Sequence, residues 1–389
     1  MRYQQGKLNM SRSIPLRIAL INSIVVEHDA ISSHLIEHYG ILTKLGHEVK
    51  IFCYRCSFDL PYSVVADSGA LLADEFYRAA DVIVWHFGVY YEFFNSLLIG
   101  NGQAKQIVVF HNVTPSNFLP ESARELIRKS ERQCHIIEAA DEIWAVSPVN
   151  AHRLGHIGVG IGKTYIVPLA VEFPSLSNIQ SKPRECINIL FVGRFVQSKG
   201  VLDLLEVFSE IVLAKQDIRL HLAGNAEFSD PTYIQEVTCF VENASIRSSV
   251  EFHLSPTDEE LARLYHMAHI LALPSYHEGF CKPIIEGLRA GCIPVTYDGF
   301  NLGSISGGYG RCVRTGDKEA LRSSLISVAE QISDIYESST GKNIVVDKGG
   351  MTVGDFSEAV LQYVDEFTVE RNRSIIEGRL SCLTADAVG

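Results

Sequence analysis

The sequence predicts an α/β protein of two doubly wound domains in tandem, with its site in the cleft between them. Three observations carry that expectation. Short apolar runs alternate with helix-length patterns almost throughout, the signature of βα units wound onto parallel sheets. The chain has 389 residues, too many for one core at roughly 150 residues per domain. Between its halves lies Pro168 to Glu185, which holds three prolines and several Ser, Asn and Gln residues, and there the periodicity fails.

Taken in order, residues 1–15 are polar and basic and read as a disordered N-terminal extension. The apolar run Leu16 to Val26 is shorter than the roughly 20 residues of a membrane span. It leads into a helical pattern with no evident small-residue cleavage site, so it reads as a first buried strand near 16–25 and not as a leader. Further strands are expected near 48–54, 81–86, 105–111, 141–146 and 164–168, with helices between most of them, completing a domain over 16–175. The second domain, 186–350, repeats the rhythm with strands near 187–193, 217–223, 249–253, 269–273 and 293–296. Its helices are expected near 199–214, 230–244, 257–267 and 283–290. A last helical segment, 351–375, follows the break at Lys348, Gly349 and Gly350 and can pack back on the N-terminal domain; the tail past Gly378 reads as poorly ordered.

A net charge of −12 excludes a strongly basic nucleic-acid footprint. With 47% hydrophobic and 21% charged residues the chain falls among globular proteins and outside the disordered class. Its nine cysteines are odd in number and lie mostly in apolar runs, which suits reduced thiols in the cytoplasm. Cys53 and Cys56 form one C-x-x-C pair, but without a second pair or matching histidines it reads as packing and not as zinc or redox chemistry.

The segment from Leu271 to Val295 is the richest in chemistry. A buried strand ends at Pro274, Gly279 marks a loop, Pro283 suits a first helical turn, and Gly291 closes the helix. Glu278 then lies in the loop and Glu286 in the opening turns. The helix N-terminus offers unpaired amides to an anion, and the two carboxylates flanking it can accept hydrogen bonds from sugar hydroxyls. Either glutamate alone reads better as a surface acid. In a second segment, Ile189 to Gly200, a strand runs into a glycine turn that carries Arg194 and Lys199. A guanidinium and an ammonium at a strand's carboxyl end can neutralise a diphosphate without a metal ion. Two such cations alone are usually solvated, and the pairing with the glutamates favours a phosphate role.

Together these segments resemble the retaining glycosyltransferases of family 4, which have the GT-B fold of two facing Rossmann-like domains. The Gly-Arg-x4-Lys-Gly element, the Glu-Gly-Phe loop, the Glu-x7-Glu spacing and the Gly-Cys-Ile-Pro-Val strand occur in the family's order. Leu222 to Asn225 and Glu259 to Tyr265 are similar to its strand-end and base-loop segments. The resemblance is dense over roughly 187–300 and looser before it. It implies transfer of a sugar from a nucleotide-diphosphate sugar to a glycan or lipid-linked acceptor, with retention, in cell-surface polysaccharide or glycolipid synthesis and with no metal cofactor. By that similarity Arg194 and Lys199 bind the diphosphate, Glu286 the ribose, and Glu278 with the Gly279 and Phe280 backbone the donor sugar.

In the first half, His111 to Pro115 is similar to a His-Asn-x-Thr-Pro element of a bacterial branch of this family. The resemblance implies that His111 faces the donor sugar, where an imidazole can position it without acting as a base; His86, ending the previous strand, is the rival for that position. The loop from Asp29 to His34 also resembles that branch but lacks the wider family's Gly-Gly turn, leaving Ser32 or helix amides to approach the phosphate. Cys281 stands where many members carry glycine, and Asn301 to Gly310 lacks the common Gly-Gly-x-x-Glu pattern.

Gly158 to Thr164 mimics a P-loop, but Ile157 replaces the required glycine and the segment leads into a strand. Arg124, Arg128, Lys129 and Arg132 recur on one helix and offer a peripheral contact with the inner face of a membrane; Glu121, Glu125 and Glu131 dilute that charge and favour a solvated face. Three alternatives to transfer are a nucleotide-sugar epimerase, a hydrolase, and a catalytically silent scaffold subunit on the same fold.

Overall fold

A computed structural model describes residues 15–27, 29–116, 121–172, 177–214, 217–337 and 343–385. The expected extension over 1–15 lies, apart from Pro15, outside the described residues.

The N-terminal domain is built on β1 (Arg17–Ile21), β2 (Glu48–Cys53), β3 (Tyr62–Val64), β4 (Val82–Phe87), β5 (Lys105–Phe110), β6 (Glu142–Ala145) and β7 (Thr164–Ile166). These form one sheet in the order β3-β2-β1-β4-β5-β6-β7, and every pair in it is parallel. Strand β4, VIVWHF, is buried along its whole length, as a strand covered on both faces must be. Its helices include α1 (Ala30–Lys44), α2 (Arg124–Gln133) and α3 (Pro148–His156). Asp29 starts α1 by accepting the amide of Ser32, and Ser147 starts α3 by accepting that of Asn150.

The second domain holds β8 (Ile187–Val192), β9 (Ile218–Gly224), β10 (Val250–Leu254), β11 (Ile270–Leu273), β12 (Ile293–Tyr297) and β13 (Arg311–Val313). Its parallel sheet runs β10-β9-β8-β11-β12-β13. Within each sheet the strand order reverses beside the first strand, leaving a crevice at the carboxyl ends where ligands bind in open α/β sheets. The helices α4 (Val201–Ala214), α5 (Pro231–Asn243), α6 (Asp258–Met267) and α7 (Lys282–Arg289) fall where they were expected.

The chain from 311 to 352 adds more than was expected. It forms β13, the 20-residue helix α8 (Lys318–Glu337) and an antiparallel hairpin of Asn343–Val346 with Gly349–Thr352. The apolar stripe of α8, Leu321, Leu325, Val328, Ala329 and Ile332, is buried at helical spacing. The tail also differs from expectation. After α9 (Val353–Val364), helix α10 runs from Val369 to Ala385, so the segment past Gly378 is helical as far as Ala385, with Leu380 and Leu383 buried, and residues 386–389 lie outside the described residues.

Helix α9 packs on the second domain, where the Tyr363 hydroxyl donates to the Ile305 carbonyl at 2.8 Å. Helix α10 lies against the first domain. Arg379 pairs with Glu142 at the start of β6 and stacks over Tyr165 of β7, and the Asn372 amide donates to the Pro168 carbonyl. The linker is also tied down. The ammonium of Lys182, 3% exposed, donates to the carbonyls of Tyr265, His266 and Ala290, so one cation serves the C-terminal ends of α6 and α7. Among the described residues no helix is long and apolar enough to cross a membrane. On α2, Arg124 and Arg128 make exposed ion pairs with Glu121 and Glu125, as a solvated face does.

Glu37 of α1 joins both domains and the linker. It accepts the Ala170 amide at 2.9 Å and lies 3.6 Å from the ammonium of Lys282 on α7. Burial outweighs both contacts and raises its carboxyl to about 7. The unfolded chain releases this proton near 4.5, so between those values the native state holds more protons and loses stability as pH rises. Glu37→Gln is therefore expected to gain unfolding free energy relative to the parent between about pH 5 and pH 8, by on the order of 3 kcal/mol at most. Urea titrations at both values check this; an identical pH dependence in the two proteins would contradict it.

Candidate functional site

The site forms where β8, β9 and β11 end. Gly193 follows β8 and donates its amide to the Ala223 carbonyl at 3.0 Å. A Cβ on Gly224 would lie 2.1 Å from the Gly193 carbonyl oxygen, so glycine there lets the two strand-end loops touch. Arg194 comes next and is exposed. A short turn, Gln197–Lys199, leads to Gly200 at φ +66°, where a Cβ would lie 2.1 Å from the Pro274 carbonyl oxygen. Gly200 therefore satisfies both a left-handed backbone and a close approach. The Tyr276 amide donates to the Ser198 carbonyl at 2.9 Å, which locks the loop after β8 onto the loop after β11.

That docking brings Lys199 and Glu278 together. The ammonium lies 2.5 Å from Glu278 Oε1, with each side chain 14% exposed. The Ser275 hydroxyl donates to the same oxygen at 3.0 Å. Helix α7 starts four residues later. Cys281, at its N-cap, makes no side-chain capping bond; Pro283 in the first turn has no N–H, and the Ile284 amide donates to the Cys281 carbonyl at 3.2 Å, so the positive end of the helix dipole faces the loop. Cys281 has φ +76°, the left-handed conformation that glycine adopts without strain. Glu286 sits inside α7 and accepts the Tyr265 hydroxyl at 2.6 Å; burial raises its carboxyl above the usual range, with the Tyr265 bond and Lys282 opposing. Phe280 is buried against Phe367, and its carbonyl accepts the amide of Asn301 at 3.1 Å.

From the first domain, His111 and Asn112 follow β5 and meet this loop. The Asn112 amide lies 2.9 Å from His277 Nε2, and the Asn150 amide donates to the Gly279 carbonyl at 2.8 Å. A Cβ on Gly279 would sit 3.0 Å from the His111 carbonyl oxygen. Burial holds the His111 imidazole down at about 3 and His277 at about 4, so both are neutral near pH 7. Asn112, Cys281 and Phe300 all have positive φ, and Phe300 bridges to Glu278, so backbone strain gathers around the cleft.

The structure thus links His111, Gly279, Glu278 and Lys199 through contacts, sets Glu286 one turn into α7, and leaves Arg194 exposed at the strand end. It gives Ser32 a structural role instead of a phosphate-facing one. That residue is wholly buried; its hydroxyl accepts the Val26 amide at 3.1 Å and donates to Asp29 at 2.7 Å. His86 is wholly buried too, with Nδ1 3.1 Å from His111 Nε2, so it stands behind His111. The tyrosine holding Glu286, the Asn112 to His277 contact, and His34 and His38 were not singled out from sequence. His34 and His38 fall one turn apart on α1, a spacing that signals a shared face. Cys53 is buried, its thiol pushed up to about 12 by burial, and all nine cysteines are free.

Residues 173–337 match the family model described as Glycosyl transferases group 1. In sequence the chain is 27% identical over 185 residues to MMP alpha-(1->4)-mannosyltransferase of Mycolicibacterium hassiacum, covering 47% of this chain and 43% of that one. It is 26% identical over 110 residues to GDP-mannose:cellobiosyl-diphosphopolyprenol alpha-mannosyltransferase of Xanthomonas campestris, 28% of each chain. The chain thus spans less than half the length of these relatives. In structure it is similar to sucrose-phosphate synthase from Thermosynechococcus elongatus, with a TM-score of 0.71 at 17% identity over 95% of this chain and 99% of that one. Anabaena HepE in complex with UDP-glucose gives 0.70 at 13% identity, over 94% and 100%. These likenesses show the fold, two Rossmann-like domains in the GT-B arrangement.

Gly200→Ala tests the loop docking. Left-handed strain together with the clash against Pro274 predicts a loss of about 2 kcal/mol or more. Unfolding in urea measures it, and an unchanged midpoint would contradict the close approach.

Proposed function

We propose that this chain is a retaining glycosyltransferase, moving a sugar from a nucleotide-diphosphate sugar to a glycan or lipid-linked acceptor. The carrying observation is the Lys199 to Glu278 pair at 2.5 Å, placed ahead of the uncapped start of α7. It puts a cation, a hydroxyl-binding carboxylate and a helix N-terminus within one loop cluster. The match to the group 1 family model over 173–337 covers this cluster, and the two sequence relatives named above are mannosyltransferases, one of them named for GDP-mannose.

Breaking the donor's glycosidic bond leaves negative charge on the diphosphate and positive character on the anomeric carbon. Lys199, Arg194 and the α7 amides stabilise that leaving group by fixed charge and dipole, without a metal ion. Glu286, held by Tyr265, accepts from the ribose hydroxyls. When Lys199 turns to the phosphate, Glu278 accepts from the donor sugar, and the Gly279 and Phe280 backbone lies along it. His111, kept neutral by the low-polarity surroundings of its ring, hydrogen-bonds a sugar hydroxyl and orients the donor. With no side chain in this scheme acting as nucleophile, attack of the acceptor on the face the diphosphate leaves accounts for retention. The work is done in the cytoplasm, with the acceptor bound by the first domain.

Lys199→Ala and Arg194→Ala are expected to lower kcat/KM for transfer by about 100-fold or more, the scale of losing a transition-state charge partner. Donor is chosen beforehand by screening nucleotide sugars for protection against thermal unfolding. Rates near the parent's in folded variants would refute the assignment, and a sugar freed or epimerised without acceptor would favour a hydrolase or epimerase.

A further inference from the structure

At the cleft side of the first domain lies a cluster of imidazoles of which the transfer reading uses only His111. His34 comes from α1, His86 from the end of β4, and His111 from the residue after β5. Their ring centroids form a near-equilateral triangle: 5.0 Å from His34 to His111, 5.6 Å from His34 to His86 and 5.3 Å from His86 to His111. One nitrogen from each ring lies within 4.8 Å of the other two. His34 and His86 are wholly buried, yet both nitrogens of His34, of which a metal ion would take one, lack a partner among the described residues. Burying imidazole nitrogens unpaired is costly, so something must satisfy them.

We propose that His34, His86 and His111 form a binding site for one borderline transition-metal dication of the zinc or cobalt class, its remaining coordination position facing the cleft. Three imidazoles without a thiolate or carboxylate suit such ions and not magnesium or calcium, which take oxygen ligands. At zinc–nitrogen distances of about 2.0–2.1 Å the ligands of a tetrahedral site stand about 3.3 Å apart. His86 Nδ1 and His111 Nε2 already stand 3.1 Å apart. Burial lowers the pKa of all three imidazoles, keeping them in the neutral form that ligates. His111 is only partly buried and gives the opening to the cleft. The charged and titratable neighbours are His38, 4.2 Å from His34 between ring centroids, and Lys282, whose charge is countered by Glu37 at 3.6 Å. The site shares His111 with the transfer reading but none of its diphosphate cations, and the cluster's geometry does not rest on that reading.

The test is titration of chelator-treated full-length protein with Co2+, read by visible absorption and calorimetry. One cobalt per chain is expected, with the bands of a nitrogen and oxygen ligand set. His34→Gln and His86→Gln should each weaken binding about tenfold or more, while His253→Gln, in the other cluster of His221, Glu251 and His253, should leave it unchanged. Thermal melts of each variant verify folding. Should both cleft variants misfold, anomalous diffraction from parent crystals soaked in Zn2+ decides, with the peak expected among His34, His86 and His111. Absence of stoichiometric binding, a sulfur-to-cobalt charge-transfer band, retained binding in folded His34→Gln and His86→Gln, loss in His253→Gln, or water alone between the three rings would overturn the proposal.

Discussion

The ammonium of Lys199 and the carboxylate of Glu278 stand 2.5 Å apart with most of each side chain shielded from water, and the other candidate groups are arranged around that contact. A buried ion pair is weak evidence for stability, because desolvation offsets much of its attraction. Its meaning here lies in its placement. The pair joins the loop after β8 to the loop after β11 and holds a cation beside the start of α7. A diphosphate carries more negative charge than one carboxylate and can draw the ammonium away, which frees Glu278 for hydroxyls. Binding donor would thus exchange one set of charge contacts for another within an already formed frame.

The frame depends on close backbone approaches. Gly224 lets the β8 and β9 ends touch, and Gly200 lets the Lys199 loop lie under Pro274. Across the cleft, Asn112 meets His277, and Asn150 reaches the Gly279 carbonyl. Helix α10 returns to the first domain through Arg379 and Asn372. The two domains are therefore connected at the cleft and behind it.

Much of this was legible in the sequence because the βα rhythm and the segment from Leu271 to Val295 are local signals. Pro283 and Gly291 mark the limits of α7, and Glu278, Glu286 and Lys199 stand at fixed positions relative to strand ends. Contacts between residues far apart in the chain were not legible. Ser32 looks free for phosphate until Val26 and Asp29 are seen to occupy its hydroxyl. Lys182 sits in a Pro-rich linker, yet three carbonyls from two helices bury it. The four histidines come from three separate segments and converge only when β4 and β5 pair beside α1. Helix α8 and the end of α10 did carry a local signal, an apolar stripe that Gly-rich and polar flanks obscure.

The most direct test of the central claim is a crystal structure of the chain with a nucleoside diphosphate. The account predicts Lys199 Nζ and the Arg194 guanidinium within about 2.7–3.2 Å of phosphate oxygens, with the Lys199 to Glu278 contact opened and the ribose at Glu286. A nucleotide bound away from the β8 end, with Lys199 still on Glu278 and Arg194 in solvent, would contradict it.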